Sequence, residues 1–114
     1  MNQLEKQLFR DNVGDAEPRL QLRTKTRVDT GRWWRKTPLW LCVMDDELVL
    51  LSVSRRRYIE RLPLSASQQT HYNHSTGELV IEPAESLQCN RCALSPRDAL
   101  RVLNFLKSKK TTKH

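Results

Sequence analysis

Residues 39–54 read LWLCVMDDELVLLSVS, two apolar runs separated by Asp45-Asp46. Both runs are strand-sized and rich in β-forming residues, and the acidic pair between them is turn chemistry. The stretch therefore reads as a β-hairpin. Upstream, RLQLRTKTRV (19–28) changes period. Positions 20, 22, 24, 26 and 28 are Leu, Leu, Thr, Thr and Val, whereas 19, 23, 25 and 27 are Arg, Arg, Lys and Arg. Alternation over that length is a half-buried strand with one cationic face. Asp29-Thr30-Gly31 then reads as a turn, and the basic aromatic segment RWWRKTP (32–38) as the rest of a loop running from about 29 to 38.

Downstream of the hairpin, Arg55, Arg56 and Arg57 form the next turn, and RYIERLPL follows as a strand. In that strand Tyr58 and Glu60 lie outside a set that includes Ile59, Leu62 and Leu64. Pro63 cannot donate to a ladder, which places this strand at an edge or near its end. QQTHYN is a weaker strand, His74-Ser75-Thr76-Gly77 a turn, and ELVIEP and SLQCNRCAL two further strands. The chain closes with SPRDALRVLNFLKSKK. Ser95 is a good N-cap, Pro96 takes the first helical position, and Asp98 follows three residues after the cap. Ala99, Val102, Leu103 and Leu106 share one face, with Leu100 and Phe105 beside it, so a helix is expected over about 95–109 with a short basic tail. Residues 1–18 read as an appendage. Leu4, Leu8 and Phe9 suit a short helix that Gly14 and Pro18 end, and about ten residues need a partner to stay helical.

At 114 residues the chain fits one domain, here 19–114. With 38% hydrophobic and 29% charged residues it belongs to the folded class rather than the disordered one. No apolar stretch approaches a membrane span, and MNQLEKQLFRDN lacks the apolar core of a secretory signal. Three cysteines, an odd number, fit a reducing compartment better than a disulfide scaffold. A cytoplasmic protein is expected, with a position peripheral to a membrane as the variant that the basic segments allow.

Net charge is +7, unevenly spread. Residues 19–36 hold seven basic side chains against Asp29, residues 55–61 four against Glu60, and the tail from Lys107 four, leaving −6 for the remainder. Segregation of this kind creates local positive potentials. Nucleic acid, an anionic membrane surface or an acidic protein patch would answer them, although any one basic segment also reads as solvated surface.

About seven strands in sequential hairpins, followed by one amphipathic helix, call for closure as a barrel or two near-orthogonal sheets with the helix plugging one end. This order resembles the pleckstrin-homology-like superfold over about residues 19–107. The matching pieces are WLCVMDDELVLLSV, YIERLPLSAS and TGELVIEP with ALSPRDALRVLNFL. The resemblance implies a mainly β fold, a seven-stranded antiparallel barrel capped by one α-helix, and a non-catalytic binding or adaptor role. Many eukaryotic members carry a tryptophan in the capping helix, where this chain offers Phe105. Lipid-binding members pair a strand-1 lysine with a (Lys/Arg)-x-Arg pair on strand 2, whereas here Arg35-Lys36 is adjacent and Thr37-Pro38 follows.

Under that resemblance the 29–38 and 55–57 loops share one end of the barrel. Arg32, Arg35, Lys36, Arg55, Arg56 and Arg57 would then converge, with Lys25 or Arg27 reaching in from the first strand. Arginine forks suit phosphate oxygens. Trp33 and Trp34 there would sit at lipid headgroup level or stack on unpaired bases, or else plug the core. Glu82 and Glu85 in the neighbouring loop would oppose an anion.

Cys89-x-x-Cys92 and His71-x-x-His74 offer a zinc ligand set, but residues three apart on a strand face opposite sides, so buried thiols beside surface histidines are the better account. No phosphate loop, nucleophile elbow or zinc-protease motif is present, and no enzyme and no cofactor are expected. The leading expectation is protein–protein contact, in an oligomer or as a subunit, with an anionic phosphate or phosphoinositide-type headgroup at the basic end. The alternative is nucleic-acid binding by Arg23, Lys25 and Arg27 with Trp33 and Trp34.

Overall fold

The structure, a computed structural model, describes residues 1–32, 35–53, 57–82 and 90–111, with side chains described outside 27–32, 35–37 and 108–111. Helix α1 (Gln3–Val13) precedes seven strands and a second helix. The strands are β1 (Leu20–Arg32), β2 (Arg35–Val43), β3 (Glu47–Val53), β4 (Arg57–Pro63), β5 (His71–Asn73), β6 (Glu78–Val80) and β7 (Arg91–Ala93), and helix α2 spans Pro96–Thr111. β1–β4 form one antiparallel sheet in sequential order and β5–β7 a second. β4 is an edge strand ending on Pro63, where a missing N–H costs no ladder bond.

The interior lies between the two sheets. Leu22, Leu39, Leu41, Val43, Leu48, Leu50 and Leu62 from the first sheet pack with Leu79, Ile81, Cys92 and Leu94 from the second half. Ala99, Val102 and Leu106 of α2 complete this cluster. Ser95 caps α2, its Oγ accepting from Asp98 N at 3.2 Å.

The run LWLCVM lacks alternation because both faces of the first sheet are covered. Leu39, Leu41 and Val43 enter the interior, while Cys42 and Met44 join Val49 and Leu51 on the outer face. A strand buried on both sides needs apolar residues at every position. The outer cover is α1, through Leu8 and Phe9. In β4 the same parity rule separates Ile59 on the α1 side from Leu62 on the interior side, which the expected grouping of the two did not allow. α1 itself starts with a capping box. Asn2 Oδ1 accepts from Glu5 N at 2.9 Å, and Glu5 Oε1 accepts from Asn2 N at 2.8 Å. Gly14 ends the helix at φ 101°, a conformation other residues resist.

Two expectations are corrected. First, no strand pairing among the described residues joins the two sheets, so of the two expected closures the layout is a pair of sheets and not a barrel, while α1 is the short helix expected within 1–18. The physical reason lies in β1, whose register slips between Arg23, opposite Trp40, and Arg27, opposite Pro38. Within this bulge, Thr24 Oγ1 donates to Leu39 O at 2.8 Å, and Thr26 Oγ1 accepts from Ala93 N of β7 at 2.7 Å. Hydroxyls thus take bonds that a continuous ladder would have used. Second, Asp29-Thr30-Gly31 is not a turn. β1 runs through it to Arg32, which pairs with Arg35 at the start of β2.

Candidate functional site

A cleft of about 230 Å³ opens between α2 and the segment leading into β5, lined by Gln68, Thr70, Leu103, Leu106 and Lys107. Its apolar wall follows from the width of the α2 stripe. Ala99, Val102 and Leu106 suffice to seal the interior, and Leu103 is left half-buried at the margin. The opposite wall is polar but internally bonded. Gln68 Nε2 donates to Leu64 O at 2.6 Å, and Thr70 Oγ1 accepts from Glu82 N at 3.3 Å. A cavity smaller than the roughly 300 Å³ lower bound for small-molecule sites holds a side chain or two rather than a cofactor. Lys107, exposed, puts a positive charge at its lip.

β5 lies at the edge of its sheet, and among the described residues no strand pairs with its outer side. Tyr72, in the middle of β5, is anchored by its hydroxyl, which donates to Leu94 O at 3.0 Å, and by an edge-on contact with the His74 ring at 4.9 Å between centroids. Strand edge and apolar cleft are therefore neighbours on one side of the molecule. Sequence reasoning did not find this pairing, since residues 68–70 and 103–107 meet only through the tertiary fold. The one local signal was a helix stripe broader than a core demands.

The cationic residues are distributed as follows. Lys25 is exposed on β1, as is Arg23 two positions earlier. Arg27 and Arg32 lie on β1, and Arg35 and Lys36 on β2, with Arg32 opposite Arg35 and Lys36 opposite Asp29. Arg57, exposed, opens β4 opposite Val53. The up-and-down order of β1–β4 brings the Arg32–Arg35 end of the first hairpin and Arg57 to the same end of the sheet. Trp33, Trp34, Arg55, Arg56 and Glu85 lie outside the described residues. Glu82 is half-buried, its backbone engaged by Thr70 and by Gln69 N at 3.0 Å.

The thiol and imidazole set is dispersed. Cys92 is buried in the interior cluster, His71 is exposed with Nδ1 3.2 Å from Gln69 O, and Cys89 lies outside the described residues. Among the described residues no three His, Cys, Asp or Glu side chains gather as a metal site. Burial beneath α1 pushes the Cys42 thiol up to about 12, far from nucleophile chemistry. The Glu47 carboxyl is held below its ordinary range mainly by hydrogen bonds from Arg61, at 2.6 and 2.7 Å. Arg61 also donates to Asn12 O at 2.8 Å, tying β4 to the last turn of α1. Among the described residues no helix is long and apolar enough to cross a membrane.

No protein-family model matches the chain, and no curated protein matches it.

Proposed function

We propose that this protein is a non-catalytic binding module of pleckstrin-homology-like layout that docks an extended segment of a partner protein between α2 and β5. The observation that carries this reading is the juxtaposition of a sheet edge, unpaired among the described residues, with an apolar cleft beside it. An edge strand offers main-chain hydrogen bonds to an added strand, and a neighbouring pocket selects a side chain of that strand. The order of four strands, three strands and a terminal helix supports the layout, although a layout alone selects no ligand. Lys107 at the lip and the net charge of +7 favour a partner segment with an acidic residue next to its apolar anchor. The setting we infer is the cytoplasm, on the odd cysteine count.

Selection of displayed peptides against the full chain tests this. Enriched peptides should combine an apolar anchor with acidic neighbours. Leu103→Asp should weaken them at least about tenfold, the effect of losing one buried anchor. Lys107→Glu, at an exposed position, should weaken the acidic ones a few-fold. Absence of enrichment, or peptides indifferent to both substitutions, contradicts the proposal.

A further inference from the structure

α1 is fastened to the molecule by its side chains but joined to it by little chain. Leu8 and Phe9 pack against Cys42, Met44, Val49 and Leu51 on the outer face of the first sheet. Glu5 accepts from the Trp40 indole, and Asn12 O accepts from Arg61. Covalently, only the five residues Gly14–Pro18 lead from the helix to Arg19 and β1. Residues 14–17 are exposed, and the Asp15 carboxylate pairs at 3.5 Å with Arg10 of α1 itself. Among the described residues, 15–18 make no hydrogen bond to any strand.

This tether has far to go. Arg61 of β4, paired with Glu47 of β3, holds Asn12 O over that side of the sheet. At the other end of the tether, Arg19 N donates to Val43 O at 2.7 Å, just before β1 begins. The row Leu20, Val43, Leu48, Leu62 runs across all four strands and places both anchors at one end of the sheet. They are therefore two to three strand spacings apart, roughly 10–14 Å. The chain must also descend from the helix layer to the sheet. Five residues reach at most about 17 Å, so little slack remains. Pro18 fixes its own φ and biases Glu17 to extended backbone, which suits a tether drawn out rather than folded back.

We propose that two copies of this chain exchange α1, each helix seating on the outer sheet face of the other copy in a two-fold dimer. The occupant already fits, because it is the same helix that the face holds in the monomer. A partner protein would have to reproduce both the Glu5 carboxylate and the Leu8-Phe9 pair, whereas a second copy carries them. Contacts in cis and in trans being the same, the monomer is favoured only by the effective concentration of its tethered helix. A tether that barely spans its anchors lowers that concentration, and short, strained hinges invite exchange. Neither α2 nor β5 takes part, so the exchange stands or falls independently of the protein-docking reading.

The test is light scattering of the full chain from about 10 µM to about 1 mM, the range in which short tethers act, beside two variants of the tether. The native chain should form a reversible dimer toward the top of that range. Deleting Asp15 and Ala16 removes roughly 7 Å of reach. The shortened chain should dimerise at least about tenfold more tightly. Its Cys42 should still be alkylated as slowly as in the native chain, since α1 covers it in trans. Inserting a flexible Gly/Ser stretch after Ala16 relieves the tether and should leave a monomer throughout. A native chain that is monomeric at about 1 mM, or a lengthened chain that dimerises as readily as the native one, would overturn the proposal. So would a shortened chain that stays monomeric with Cys42 accelerated, because α1 would then dock only in cis.

Discussion

Both faces of the four-stranded sheet are covered, the outer by α1 and the inner by the second sheet with α2 joining the shared cluster, and the two helices are held in different ways. α2 buries Ala99, Val102 and Leu106 in a cluster that also contains side chains from both sheets, so it cannot leave without opening the interior. α1 buries Leu8 and Phe9 against one face of one sheet. Polar ties secure its ends: Trp40 Nε1 donates to Glu5 Oε2 at 2.6 Å, and Arg61 reaches Asn12 O. The difference teaches that burial and integration are separate properties. Phe9 and Val102 are both buried, yet removing α1 exposes a sheet face while removing α2 removes the floor between the sheets. α1 is the element expected to open locally, below the free energy of global unfolding.

The sharpest way to break this comparison is Leu41→Ala, at a fully buried position of the interior cluster. It should cost about 3 kcal/mol and shift the whole denaturation curve. Phe9→Ala should cost somewhat less, about 2 kcal/mol, because α1 can undock instead of preserving a cavity. Its distinguishing readout is Cys42, whose burial under α1 keeps its thiol at about 12. Alkylation followed by peptide mapping should show Cys42 reacting at least tenfold faster, roughly what 1.4 kcal/mol of lost docking gives, with Cys92 unchanged. Simultaneous acceleration at Cys92 would make α1 as integral as α2. Glu5→Ala, which removes both the capping partner and the Trp40 acceptor, should cost about 1–2 kcal/mol, read as lost helicity without loss of the main transition.

The smallest expected effect is a pH dependence at the far end of α1. Glu47 has its folded pKa below the unfolded one, through the hydrogen bonds from Arg61. Its contribution is therefore present above the ordinary carboxylate pKa and is lost as pH falls through the lowered folded value. Arg61 is 48% exposed, so the contribution stays below about 1 kcal/mol. A melting series from pH 6 downward should show a slightly steeper acid decline for the native chain than for Glu47→Gln. Parallel curves would remove Arg61 as a tie for α1.

How far the sequence could be read follows from which interactions are local. The 39–53 hairpin, the Ser95 cap and the α2 stripe depend on neighbours in the chain and emerge where expected. The α1 start was also present in the sequence as Asn2-x-x-Glu5, although Leu4, placed on the apolar stripe, is 57% exposed, and Glu5 is buried in its stead. A carboxylate takes that position because the Trp40 indole answers it, a partner 35 residues away. Asp29-Thr30-Gly31 carried a turn signal that the pairing of Arg32 with Arg35 overrode. The bulge at Thr24–Thr26 was invisible in a regular alternation, since it depends on Ala93 donating across to Thr26. The α2–β5 cleft was hidden for the same reason.

The claim that recognition belongs to the α2 side of the molecule is tested most directly by amide hydrogen exchange of the full chain with and without a selected acidic peptide. Slowed exchange confined to residues 68–73 and the 103–107 turn of α2, with α1 exchanging as before, is the predicted result. Protection appearing in α1 or along β1, with residues 68–73 unaffected, would contradict it.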